Sequence, residues 1–247
     1  MLFKSLLQNK SGDRPSLNST NEKLLWYPQA VIPKEKMVTQ GKYKNGYPRG
    51  AVVHYTAGGN DPLNTLAWGR EMKYCYFLID RDGKVYQSFP LDQWGYHAGV
   101  SRWLGVESLS RHYVGIEVMS AGTLTKVPDN VDDKEAKYAA WFHFNNATKK
   151  LKKDAKLFSY DEVRFSNRSC NINPGIYHKF TEEQEESLIE LLIWLKLNNP
   201  NVFQLAEVVG HDEIAPERKQ DPGGALSMTM YSLRQKLSSL YYGDKLG

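Results

Sequence analysis

His54 and His211 each close an apolar run that reads as a buried strand, and Asp221 lies ten positions beyond His211. The segment Gly210–Gly224 that joins the second histidine to the carboxylate is punctuated by Pro216, Pro222 and paired glycines, so it can turn back on itself. This pattern constrains the fold strongly, because two strands must end side by side before the three side chains can meet. Sites on open sheets lie at the carboxyl ends of strands, where these histidines fall. Two imidazoles and a carboxylate suit zinc and leave a position for water, as catalytic rather than structural zinc sites do. The competing reading is a pair of unrelated, hydrogen-bonded core histidines. Their shared placement, each before a Gly- or Pro-bearing loop, favours ligands.

The rest of the chain alternates strand and helix signals. Ala51–His54 reads as a strand, and Asp61-Pro62 as an N-cap followed by a first-turn proline. Leu63, Leu66 and Ala67 supply the inward stripe of that helix. Residues 75–80 and 84–88 flank an Arg81-Asp82-Gly83 turn and predict a hairpin. Tyr113–Val118 predicts another strand, and Tyr138, Trp141 and Phe142 have helical spacing. Thr181-Glu-Glu-Gln184 is a capping box ahead of Leu188, Leu191, Leu192 and Leu195. A strand at 207–211 and a helix marked by Met230, Leu233 and Leu237 close the chain. The expectation is an α/β protein, a single domain with a central mixed β-sheet flanked by helices. Residues 1–45 read as an arm packed on a main domain, 46–247, which carries an insertion at about 121–180.

Composition narrows the function. No stretch approaches the roughly 18 apolar residues of a membrane span. The N-terminus is too short and interrupted for a secretory signal. Synthesis in the cytoplasm is expected, with action in the periplasm or cell wall after non-standard release. A net charge of +4 and the run Lys149-Lys150-Leu151-Lys152-Lys153 leave a solvated face or polyanion contact open, but nucleic-acid motifs are absent. Cys75 and Cys170 form no metal knuckle, and a bridge between them has no support in the sequence. The oligomeric state is not legible, and a monomer fits.

Two further side chains could do chemistry, and three more could line a pocket. Glu117, within Val-Gly-Ile-Glu-Val, could take a proton from metal-bound water, while strand alternation equally allows it to point outward. Lys219, two positions before Asp221, could stabilise an oxyanion or be an exposed lysine. His97, Trp94 and Arg218 are candidates for lining a substrate pocket.

Several stretches resemble the zinc-dependent N-acetylmuramoyl-L-alanine amidases of the amidase-2 type, which include phage lysins, recycling amidases and peptidoglycan recognition proteins. They are Val52-Val-His-Tyr-Thr-Ala-Gly58, Phe77-Leu-Ile-Asp-Arg-Asp-Gly-Lys-Val-Tyr-Gln87, His97-Ala-Gly-Val-Ser101, Val114-Gly-Ile-Glu117 and Gly210–Gly223. The resemblance implies one zinc ion on His54, His211 and Asp221, with Glu117 as catalytic glutamate and Lys219 stabilising the tetrahedral intermediate. The implied reaction is hydrolysis of the amide between N-acetylmuramic acid and L-alanine of the stem peptide. The substrate would be peptidoglycan or muropeptides, attacked by a lytic enzyme such as a phage endolysin or antibacterial effector. A cytoplasmic recycling amidase and a non-catalytic peptidoglycan-recognition module are the alternatives, the latter disfavoured because no ligand is missing. Two departures stand out: Tyr76 and Cys75 occupy places where many members carry His and sometimes Tyr, and the 121–180 insertion is expected to wall the cleft.

Overall fold

A computed structural model describes residues 24–59, 61–128, 131–167, 169 and 171–243. Cys170, and with it the Cys75–Cys170 pairing, lies outside the described residues, as do residues 1–23 of the arm.

The strands are β1 (Gly41–Lys42), β2 (Gly50–Tyr55), β3 (Phe77–Ile79), β4 (Val85–Gln87), β5 (Gln93–Trp94), β6 (Arg102–Trp103) and β7 (Val106–Glu107). After these come β8 (Tyr113–Val118), β9 (Thr123–Val127), β10 (Lys137–Ala140), β11 (Val163–Ser166), β12 (Gly175–His178) and β13 (Val208–Gly210). The helices are α1 (Pro62–Glu71), α2 (Glu182–Asn198), α3 (His211–Ile214) and α4 (Met230–Tyr242). The central sheet has the order β13-β2-β8-β3-β4. Its first four strands are parallel and β4 returns antiparallel through the Asp82-Gly83 turn, so the sheet is mixed as expected.

Alternation then decides what each face carries. Ala51, Val53, Phe77, Ile79, Val114, Ile116 and Val118 pack with Leu188, Leu191, Leu192 and Leu195 of α2 and with Leu233 and Leu237 of α4 in one buried cluster. Thr181 and Gln184 cap α2 reciprocally, so two otherwise orphaned donors are satisfied where the helix enters. The opposite face carries Val52 and Val209 in one small cluster and Leu78 in another. His54 shares the parity of Val52, and Glu117 is its register partner on β8, so both side chains stand on this thinly covered face.

Helix α1 covers part of that face. Asp61 caps it through the backbone amides of Leu63 and Asn64, as the sequence predicts. Its inward stripe is narrower than expected: Leu66 and Gly69 are buried, whereas Leu63 and Ala67 face outward. Tyr76 explains this, because a Cβ at Gly69 would lie 2.2 Å from its hydroxyl. The helix therefore approaches the sheet through its glycine, and its flanks stay in solvent. Among the described residues before 46, Tyr27 and Met37 lie in the main core and β1 pairs with β5.

The insertion departs from expectation. The spacing of Tyr138, Trp141 and Phe142 predicts a helix, but residues 137–140 form β10 and 141–143 a single 3₁₀ turn. Tyr138 is fully buried while Trp141 is 61% exposed, so the two never share a face. Cross-strand pairing decides the matter: β10 pairs with β9, and Tyr138 exchanges both backbone bonds with Phe158. The sheet β10-β9-β12-β11 encloses its own cluster of Leu124, Tyr138, Phe158 and Val163. No described helix is long and apolar enough to cross a membrane.

Candidate metal centre and catalytic cleft

Three elements deliver the candidate ligands. His54 stands near the end of β2, and His211 opens α3 directly after β13, the neighbouring strand. Asp221 returns to them because the Asp212 amide donates to the Asp221 carbonyl at 2.8 Å, closing the loop. Glu213 secures the start of that loop by accepting from the Gly210 amide at 3.0 Å, and Arg234 holds its carboxylate in two bonds of 2.7 and 2.9 Å.

The ligand atoms converge closely. His54 Nδ1, His211 Nδ1 and Asp221 Oδ2 lie 2.9 Å from one another along all three sides of a triangle. All three residues are buried. Burial, reinforced by the facing His211, lowers the His54 imidazole to about 4. Asp221 supplies the carboxylate oxygen of the triangle. The set is thus an anion flanked by a neutral imidazole and by His211, whose Nε2 lies 3.0 Å from the Ala98 carbonyl. Because a carbonyl only accepts, the His211 hydrogen sits on Nε2 and its Nδ1 lone pair faces the triangle. Lone pairs packed at 2.9 Å repel unless a cation lies among them, so these residues fit a divalent metal.

The triangle opens into a cleft of about 670 Å³, walled by Thr65 and Trp68 of α1, by Tyr74, Tyr76 and Tyr96, and by Glu117 and Lys219. Glu117 points inward, which alternation left open. Its Oε2 is buried without a hydrogen-bond partner. Burial raises its carboxyl to about 8, the nearby Asp221 anion adds to the rise, and Lys219 opposes it. Lys219 also lines this cleft.

The remaining candidates separate. His97 reaches the cleft and lies 3.2 Å from His54. Arg218 lines the rim, but its Nη2 donates to the Ala98 and Val100 carbonyls at 2.9 and 2.8 Å, so its guanidinium serves the loop. Trp94 sits in the β1–β5 ladder beneath Arg111, and its neighbour Tyr96 is the aromatic that reaches the cleft. Tyr76 donates to the Thr65 carbonyl at 3.3 Å, and Cys75 is a buried thiol. Of the insertion, Thr123 reaches the cleft. The insertion also braces the chain after Asp221: Arg164 donates to the Ala225 carbonyl at 2.8 Å, and Tyr177 packs where a Cβ at Gly223 or Gly224 would collide with its ring.

Sequence reading missed Trp68 and Tyr96, since nothing in a lone exposed aromatic marks the wall of a cleft. It also missed Asp212, which is buried with Oδ1 unpartnered and raised to about 8 by burial and by Glu213.

The family model described as N-acetylmuramoyl-L-alanine amidase (Amidase_2) matches residues 44–224. The chain belongs to this family. Among its relatives, this Amidase_2 protein is 25% identical over 162 residues to the 1,6-anhydro-N-acetylmuramyl-L-alanine amidase AmpD of Enterobacter cloacae. That match covers 66% of this chain and 57% of the relative's length. A crystal structure of a selenomethionine derivative of AmpD has the same fold, with a TM-score of 0.51 at 20% identity, covering 87% of this chain and 97% of that one.

The buried carboxyls of this Amidase_2 protein set a pH dependence in the metal-free state. Glu117 and Asp212 both bind protons more tightly folded than unfolded, so their stabilisation is complete below pH 4 and lost as pH rises toward 8. His54 acts oppositely, but only below its unfolded value of 6.5. Between pH 6.5 and 8 the carboxyls therefore dominate, and the melting temperature in chelator is expected to fall across that window. Scanning calorimetry of the Glu117→Gln/Asp212→Asn pair should give a flatter profile; an unchanged slope would contradict the assignment.

Proposed function

We propose that the protein is a zinc-dependent N-acetylmuramoyl-L-alanine amidase that cleaves the amide between N-acetylmuramic acid and the L-alanine of the stem peptide. The observation carrying this reading is the 2.9 Å triangle of His54, His211 and Asp221 with the unpartnered Glu117 oxygen in the same cleft. Family membership supports it. Zinc held by those three residues would polarise the scissile carbonyl and make water nucleophilic at neutral pH. Glu117 accepts the proton of the attacking water and returns it to the leaving amine, a task suited to a carboxyl raised toward neutrality. Lys219 offers positive charge to the oxyanion that forms on the former carbonyl oxygen. The aromatic walls Trp68, Tyr74 and Tyr96 hold the substrate against this group.

The test is mass spectrometry of purified sacculi after digestion, with and without chelator. Stem peptides freed at L-alanine only when zinc is present are the expected result. Uncut sacculi, or cleavage indifferent to chelator, would overturn it. Similarity to a relative named for 1,6-anhydro-muramyl substrates favours a second reading, action on soluble recycling fragments. Parallel digestion of soluble anhydro-muropeptides separates that role from lysis of the intact wall.

A further inference from the structure

His54 must present Nδ1 to the metal, yet nothing on its own strand fixes where its ring hydrogen resides. The answer lies in the neighbouring loop. His97 Nε2 is 2.9 Å from the Tyr113 carbonyl, which can only accept, so the His97 hydrogen is on Nε2. In the neutral ring His97 Nδ1 is then an acceptor, and it lies 3.2 Å from His54 Nε2. His54 must donate from Nε2, which leaves its Nδ1 lone pair aimed at His211 and Asp221. The next residue does the same for the second ligand, since the Ala98 carbonyl receives the His211 Nε2 hydrogen at 3.0 Å.

We infer that His97-Ala98 is a positioning element that sets the tautomer and ring orientation of both histidine ligands. The inference rests on the zinc reading above. The dipeptide is itself held from two sides. Ser110 Oγ accepts from the His97 and Ala98 amides at 3.2 and 3.0 Å, and Arg218 Nη2 donates to the Ala98 carbonyl at 2.9 Å. Space for the His97 ring comes from β8, where a Cβ at Gly115 would stand 2.7 Å from His97 Cγ. Gly115 is thus explained by its neighbour's ring rather than by its own backbone.

Partners that orient metal-bound histidines typically govern affinity by about tenfold to a hundredfold. The experiment is competition for Zn²⁺ against a chromophoric chelator, paired with the visible spectrum of the Co²⁺-substituted protein and melting of each variant in chelator. His97→Leu, which removes the acceptor, is expected to weaken zinc by about tenfold to a hundredfold and to alter the cobalt spectrum. His97→Asn restores an acceptor near Nδ1 and should recover most of the loss. Gly115→Ala crowds the ring and should weaken zinc without touching any ligand or the His97 side chain. If His97→Leu does not fold, a loss in Gly115→Ala with retention in His97→Asn carries the same conclusion. Native zinc affinity and cobalt spectrum in the folded variants would overturn the inference while leaving the metal site standing. A native protein that binds no zinc in this titration would overturn the site itself.

Discussion

Glu117→Gln is expected to lower stem-peptide release by about 10²–10⁴-fold, the range general acid–base groups contribute, while zinc content stays at the native level. The separation follows from position. Glu117 is opposite His54 in the β2–β8 ladder and faces the cleft, but it is not one of the three atoms that form the triangle. Glutamine keeps the shape and removes the ionisable oxygen, so binding and folding should be little affected. Its amide also has no charge to be desolvated, and burial is the largest cause of the Glu117 shift. The metal-free variant should therefore be at least as stable as the native protein near pH 8. Timed digestion followed by mass spectrometry reads the rate, and elemental analysis of the same sample reads the metal. Near-native turnover with zinc retained would remove Glu117 from the reaction.

Asp221→Asn should have the opposite signature, in which the metal is lost and activity disappears with it. Asp221 is the only anion in the triangle, and its Oδ2 lies 2.9 Å from both histidine Nδ1 atoms. Asparagine offers a neutral oxygen to the same space, a poor exchange for a cation taken out of water. Metal bound only by the folded state stabilises it by about 2.7 kcal/mol at a hundredfold excess over Kd. For a domain of this size each kcal/mol corresponds to about 2–4 °C. Added zinc should thus raise the native melting temperature by about 5–10 °C and leave Asp221→Asn unmoved. A full zinc-induced shift in the variant would show that the ion is held elsewhere.

Much of this site is legible in the sequence. Apolar runs ending in His54 and His211 predicted strand ends, and the Pro- and Gly-punctuated loop predicted that Asp221 could return to them. Capping at Asp61 and Thr181 was equally local, because those signals need only the next three residues. Local signals failed where distant chain competes. Tyr138, Trp141 and Phe142 have helical spacing, yet β9 and Phe158 offer backbone partners that no window around 138 contains. Leu63 and Ala67 lie on the apolar stripe of α1, but Gly69 against Tyr76 sets how that helix meets the sheet.

What the sequence determined by itself was the identity and order of the chemical groups: two imidazoles, a carboxylate, a glutamate and a lysine, each tied to a strand end or a turn. Tertiary structure alone decided their state. Alternation put Glu117 on a definite face of β8, but only the packing of α2 and α4 on the other face made its own face the cleft. Arg218 was legible as a charge, and the carbonyls of Ala98 and Val100 turned it into a brace. The His54 tautomer was beyond any reading of residues 50–55, since the carbonyl that dictates it belongs to Tyr113 and acts through His97. Hydrogen positions and ionisation answer to whatever stands within a few ångströms, and only the folded chain brings those neighbours together.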